Sequence, residues 1–219
     1  MSCFEITALR AKGEHITILI DPLDEAASGV KMPKVAADIV LRTNNIYTAK
    51  NAKINSSAFL IDSPGEYEVK GVYIQGIASQ LDADNSESSK KDKDTAKNFL
   101  NTIYSIETED LQLAHLGNLQ QAELTEEQIS KIGNVDILMC PVGNGDGLGA
   151  KEALKIMSQI EPSIAIPMNY RIPGAKLKLT TLEEFIKEAG VGKIDPLPKL
   201  VIKKKEINAE EAKIIVLSL

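Results

Sequence analysis

The chain has 219 residues, enough for one well-cored domain or two small ones. Hydrophobic residues make up 43% and charged residues 26%, which excludes a mostly disordered chain. Lys and Arg number 25 against 31 Asp and Glu, the net charge is -6, and aromatics are 4% with no Trp. A nucleic-acid binder built on a basic groove and base stacking lacks both ingredients, though a local basic patch stays open.

Two cysteines, Cys3 and Cys140, give neither a disulfide framework nor a Cys-based zinc cage. The start carries no charged-then-apolar leader and the longest apolar runs are strand-length, so a cytoplasmic protein without membrane contact is expected. Only two histidines are present, which limits imidazole-based metal binding and general base chemistry.

In chain order, His15-Ile-Thr-Ile-Leu-Ile20 is apolar and β-branched, and Asp21-Pro22 stops it. Ala37 to Leu41 reads as a second buried strand and Ala58 to Ile61 follows it, then the turn Ser63-Pro64-Gly65. Tyr67 to Ile74 alternates polar and apolar residues, as one half-exposed strand does. Asn101 to Ile106 and Leu111 to Leu116 form a hairpin pair around Thr108-Glu-Asp110. Between them, residues 82–97 are polar and charged, and read as a mobile loop inside one domain spanning 1–219.

After residue 120 helix and strand alternate. Thr125-Glu-Glu-Gln128 is a capping-box start. Val135 to Cys140 is a strand, and Ala150 to Ile160 places Ala153, Leu154, Ile156, Met157 and Ile160 on one helical face. Ser163 to Pro167 is a strand, Thr181 to Ala189 a helix, and Leu200 to Ile202 and Lys213 to Leu217 are closing strands. Strands first, then helices among strands, predict an α+β or αββα domain.

Each candidate for chemistry has a plainer competitor. Gly145-x-Gly147-x-x-Ala150 fits a degenerate dinucleotide fingerprint, but it comes late and without preceding βαβ units, so a flexible strand-to-helix loop is preferred. Cys140 could be a thiol nucleophile with His115 as base, or a small buried hydrophobe. His15, beside the Gly13-Glu14 turn, reads as surface. Glu66 with Glu68, and Asp82 with Asp84, lack the extra oxygens of a hard-metal loop and read as solvated. Lys203-Lys-Lys205 reads as a solvated edge.

Several segments in order carry a resemblance. They are Ser2-Cys-Phe4, Ile18-Leu-Ile-Asp-Pro22, Ala37-Asp-Ile-Val-Leu41, Pro64-Gly-Glu-Tyr-Glu-Val-Lys-Gly71 and Asn101-Thr-Ile-Tyr104. Further on come Ala114-His-Leu-Gly-Asn-Leu119, Asp136-Ile-Leu-Met-Cys-Pro-Val-Gly143 and Gln159-Ile-Glu-Pro-Ser-Ile-Ala-Ile-Pro-Met-Asn-Tyr170. Together they resemble the metallo-β-lactamase superfamily, in its branch of small bacterial candidate zinc-dependent hydrolases. The resemblance implies an αββα sandwich with its site at one edge, where loops of both sheets meet.

The resemblance also shows what is missing. Where the family has His-x-His-x-Asp-His, this chain has Asn44, Ile46, Thr48 and Ala49 in the ligand positions. A further family histidine falls at Leu81, the bridging aspartate of Leu-Gly-Asp becomes Asn118, and the histidine of Pro-Met-His-Tyr becomes Asn169. His115 matches a histidine common in this branch that is not a principal ligand. The zinc that the family implies therefore loses its ligands, and no cofactor is expected. Without the ion there is no acidified water and no Lewis acid.

The leading expectation is a metal-free, inactive member of the fold acting as a binding or assembly module, with an amide network of Asn44, Asn118 and Asn169 in the former metal cavity. The rival is a hydrolase with a rebuilt site, in which His115 is the only candidate general base and Arg42, Arg171 and Lys50 bind an anionic substrate. Family members open with one more strand before Ser-Cys-Phe, so an exposed sheet edge could be covered by another copy of the chain.

Overall fold

The computed structural model describes residues 3–9, 14–31, 35–44, 57–79, 101–143, 145, 147–208 and 212–218. The loop expected at 82–97 and positions Ile46, Thr48, Ala49, Lys50 and Leu81 lie outside the described residues.

Two mixed sheets pack face to face. The smaller has the order β1-β2-β3-β4, from β1 (Phe4–Leu9), β2 (His15–Ile20), β3 (Ile39–Leu41) and β4 (Phe59–Ile61). Its first pair is antiparallel and the others are parallel. The larger has the order β11-β10-β9-β8-β7-β6-β5. It comprises β5 (Gly65–Val69), β6 (Val72–Ser79), β7 (Asn101–Thr108), β8 (Leu111–His115), β9 (Ile137–Pro141), β10 (Ile164–Met168) and β11 (Lys213–Ile214). Strands β5 to β8 are antiparallel and β8 to β11 parallel.

The apolar residues of the two inner faces form one core. Ile16, Ile18, Ile20, Ile39, Leu41 and Ile61 of the small sheet meet Ile74, Tyr104, Ile106, Ile137, Met139 and Ile166 of the large one. The outer face of the large sheet buries a second cluster under α2 (Glu126–Ile132), α3 (Ala150–Ile160) and α4 (Leu182–Glu188). Among the described residues the outer face of the small sheet carries a lesser cluster of Leu19, Ala37 and Val40. The class is α+β, as the order of elements predicts. None of the helices among the described residues is long and apolar enough to cross a membrane.

Local chemistry explains the elements. Helix α2 starts at Thr125, whose hydroxyl accepts the Gln128 N–H while Gln128 reaches back to the Thr125 N–H. Thr181 and Glu184 repeat this box at α4. In α3, Ala153, Ile156, Met157 and Ile160 are buried, and Leu154 packs half-buried against the same cluster.

Five local readings change. Phe4–Leu9 is a strand that the sequence reading passed over, and Glu25–Ser28 is a one-turn helix, α1. The single strand expected over Tyr67 to Ile74 is a hairpin: Lys70 and Gly71 both have positive φ (52° and 77°), and Val69 pairs with Val72. Leu200 to Ile202 joins no sheet among the described residues, and its Leu200 and Ile202 pack on the inter-sheet core. The strand expected over Lys213 to Leu217 keeps its ladder only at Lys213–Ile214, with a bridge from Leu217 to Leu197.

Candidate functional site

The ends of β2, β3, β8 and β10 and the start of β7 converge on one rim of the sandwich. Asp21, directly after β2, has φ 49° and is 4% exposed. Its backbone N–H donates to Leu41 O at 2.9 Å. Its carboxylate accepts the Thr43 N–H at 2.8 Å and the Thr43 hydroxyl at 2.6 Å. Loss of water pushes the Asp21 carboxyl up to about 6, against the pull of the Thr43 bonds and the Arg42 charge. Burial, with Asp21 and Glu5 nearby, likewise pushes the Cys3 thiol up to about 12.

Asn44 is buried and donates its amide to the Thr43 hydroxyl at 3.2 Å. Thr43 O in turn accepts the Thr102 N–H, which joins the small sheet to the start of β7. Asn101, also buried, accepts the Asn118 N–H on Oδ1 and donates to Leu116 O and to the Ser79 hydroxyl. Asn169 is in the left-handed region at φ 57° and donates to Gly117 O at 3.5 Å. Gly117 is the close-approach point: with φ 64°, a Cβ there would stand 2.3 Å from Asn101 Oδ1 and 2.6 Å from Thr43 Cβ. Bonds through Thr43, Asn101 and Gly117 thus tie Asn44, Asn118 and Asn169 into one corner.

His115 ends β8 and is 1% exposed. Its Nδ1 accepts the Gly117 N–H at 3.1 Å, which places the ring proton on Nε2, and Nε2 is buried without a hydrogen-bond partner. Phe4 meets the ring edge-on at 5.6 Å. Desolvation pulls its pKa down to about 3. A ring buried this way has its one basic nitrogen already bonded, which removes it from the role of general base. Cys140 does not pair with it. His115 sits in register with Met139, which faces the inter-sheet core, whereas Cys140 packs with the helix-side cluster. Burial also pushes the Cys140 thiol up, so the nucleophile reading fails on both counts.

The glycine-rich stretch after β9 serves close packing. A Cβ on Gly143 would overlap Asn169 O, and one on Gly147 would stand 2.9 Å from Asn118 Oδ1. Arg42, half-buried after β3, donates its backbone N–H to Ile61 O and accepts the Tyr104 hydroxyl on its carbonyl. Arg171 is exposed two residues past Asn169, and its N–H is tied to Thr180 O.

The donor set does not fit zinc. Asn44, Asn118 and Asn169 are neutral amides, both Asp21 oxygens are taken by Thr43, and His115 lies inside the core. Among the described residues no three His, Cys, Asp or Glu side chains gather to hold an ion. Sequence reasoning found the amides but missed Asp21, Thr43 and Asn101. The available signal was an aspartate directly after a fully apolar strand, read only as a stop.

The sequence profile of the Beta-lactamase superfamily domain matches residues 1–169. Among solved structures, a candidate Zn-dependent hydrolase of the metallo-beta-lactamase superfamily from Thermotoga maritima is 27% identical, with TM-score 0.73. The match covers 98% of this chain and 93% of that one. Isothiocyanate hydrolase from Delia radicum gut bacteria is 13% identical at TM-score 0.59, covering 97% of this chain and 92% of its own. Igni18, a metallo hydrolase from Ignicoccus hospitalis, is 16% identical at TM-score 0.53, covering 90% and 95%. Among curated proteins none matches. The two sheets, the rim site between them and these likenesses agree: the chain belongs to the metallo-β-lactamase superfamily.

Proposed function

We propose that this protein keeps the metallo-β-lactamase fold without its metal chemistry and works in the cytoplasm as a binding or assembly module. The observation that carries the reading is the chemistry of the rim. Where the fold family gathers charged and imidazole ligands, this chain presents Asn44, Asn118 and Asn169, held by Thr43, Asn101 and Gly117. The Asn44 and Asn169 amides, bonded to the Thr43 hydroxyl and the Gly117 carbonyl, help close a polar corner, and none of the three amides supplies charge to offset a divalent cation. Further support comes from His115, the only histidine at the rim, whose burial and Gly117 bond keep it from proton transfer.

The test is elemental analysis of purified protein after incubation with zinc or manganese and gel filtration, beside thermal unfolding with and without chelator. The expected result is a metal content near zero and an unchanged melting temperature. Retention of about one ion per chain, with destabilisation by chelator, would overturn the reading.

A further inference from the structure

Among the described residues, two backbone rows without a strand partner lie toward opposite ends of the large sheet. One is the outer edge of β5, the terminal strand, which exposes Glu66 and Glu68 while Tyr67 and Val69 pack inward. On the same face Glu68 stands opposite Tyr73, and Tyr73 opposite Glu107, with Tyr73 40% exposed between the two carboxylates. The other is the segment 199–202, which ends at Lys203, whose backbone N–H and C=O are both bonded to Glu206. Leu200 and Ile202 anchor it on the core, while Lys199 and Val201, with Lys203 just past its end, are exposed, Val201 at 76%. Among the described residues the backbone of 199–202 forms no hydrogen bond.

The two rows match in form and oppose in charge. Each alternates inward apolar residues with outward ones, the period of a strand that awaits a neighbour. Glutamates line one row, and lysines flanking an exposed valine line the other. They cannot meet within one chain. Lys204 clamps the basic segment to Asp136 at the start of β9, four strand steps from β5 and thus roughly 19 Å away.

We infer that the chain associates head to tail, the β5 edge of one copy pairing with segment 199–202 of the next. The inference rests on the assembly reading above in taking a second copy as the occupant. Backbone hydrogen bonds supply the pairing, the Glu and Lys rows set its partner, and the contact covers Val201 and Tyr73. Because the two surfaces differ, repetition closes a ring or grows a filament instead of stopping at a two-fold dimer.

Sedimentation or light scattering over a concentration series tests this on the full chain. Wild type is expected to associate as concentration rises. Glu66→Lys/Glu68→Lys and Lys199→Glu/Lys203→Glu are each expected to weaken association by about tenfold or more. Mixing the two variants restores it, because the opposed charges are again complementary. All four positions are exposed, so circular dichroism should report native folding in both variants. Wild type that stays monomeric at its highest soluble concentration overturns the inference, as does association unaffected by either double variant. A metal-free monomer would sink this inference and leave the metal reading standing. Metal-loaded oligomers would do the reverse.

Discussion

Burial of Asp21 and His115 gives the rim two titrations of opposite sign. The Asp21 carboxyl is raised from 3.8 to about 6, so the folded protein keeps a proton that the unfolded chain has lost. Its contribution to stability is full below the unfolded pKa and disappears as pH rises through about 6. His115 is lowered from 6.5 to about 3, so its contribution is present above the unfolded value and is lost as pH falls through about 3. Between about pH 4 and 6 the two slopes oppose each other. Asp21→Asn should remove only the first, because an amide can still accept from the Thr43 N–H and donate to its hydroxyl. Denaturant unfolding is then expected to show the variant gaining on wild type from about pH 4 to about pH 7, by on the order of 3 kcal/mol. An identical pH dependence for both proteins would refute the assignment. At this scale the amides were legible because each stands in a recognisable run of neighbours. Asp21 was not, because its importance lies in a contact with Thr43 across 22 residues that no local pattern encodes.

Among the elements, helix starts were readable, as was the reversal at Glu109-Asp110 between β7 and β8, but the one at Lys70-Gly71 was not. Thr125 and Thr181 announce α2 and α4 through side chains that act within three residues of themselves. The Lys70-Gly71 reversal is equally local, but polar and apolar residues alternate on both sides of it, and only the shift of the inward positions from Tyr67 and Val69 to Val72 and Ile74 betrays the turn. Leu200 and Ile202 misled for a different reason. Period-two burial records which side chains face the core, and an unpaired extended segment lying on that core has the same period. One helix end carries a strain that substitution can relieve. Glu161 closes α3 in the left-handed region at φ 51°, where its N–H bonds Met157 O and a Cβ is disfavoured. Glu161→Gly is expected to stabilise the protein by about 1 kcal/mol, read as a higher denaturant midpoint with an unchanged slope. A lower midpoint would mean that the Glu161 side chain contributes more than its backbone costs.

For the whole molecule, the α+β class followed from the order of strands and helices. The division into two sheets came from the resemblance, and which strands pair within each did not follow, because pairing between distant segments leaves no mark on either partner alone. The C-terminal segment illustrates this: 197–207 belongs to neither sheet and still lies against the core. Leu197 is bonded through its backbone to Val216 and Ser218, and Lys204 fastens the rest to both oxygens of Asp136, which also accepts the Gln112 N–H. Asp136 is largely buried and Lys204 half exposed, so solvent screens part of the pair. Lys204→Ala is expected to cost about 1 kcal/mol or less in global stability, yet to speed amide exchange across 197–208. Unchanged exchange there would show that Leu200, Ile202 and Ile207 hold the segment without the clamp.

The passage from β4 to β5 takes the chain from one sheet to the other through Asp62, Ser63 and Pro64 alone. Tyr67 bonds Ser63 across this corner, Tyr104 bonds Ile61 O, and Gly76 lets the Ser63 and Pro64 backbone approach closely. The sandwich is therefore bound like a book, with its spine at residues 62–64. At its fore-edge lies the segment 197–207, held by Leu200, Ile202 and Ile207, by the Lys204 clamp, and by backbone bonds of Leu197 to Val216 and Ser218.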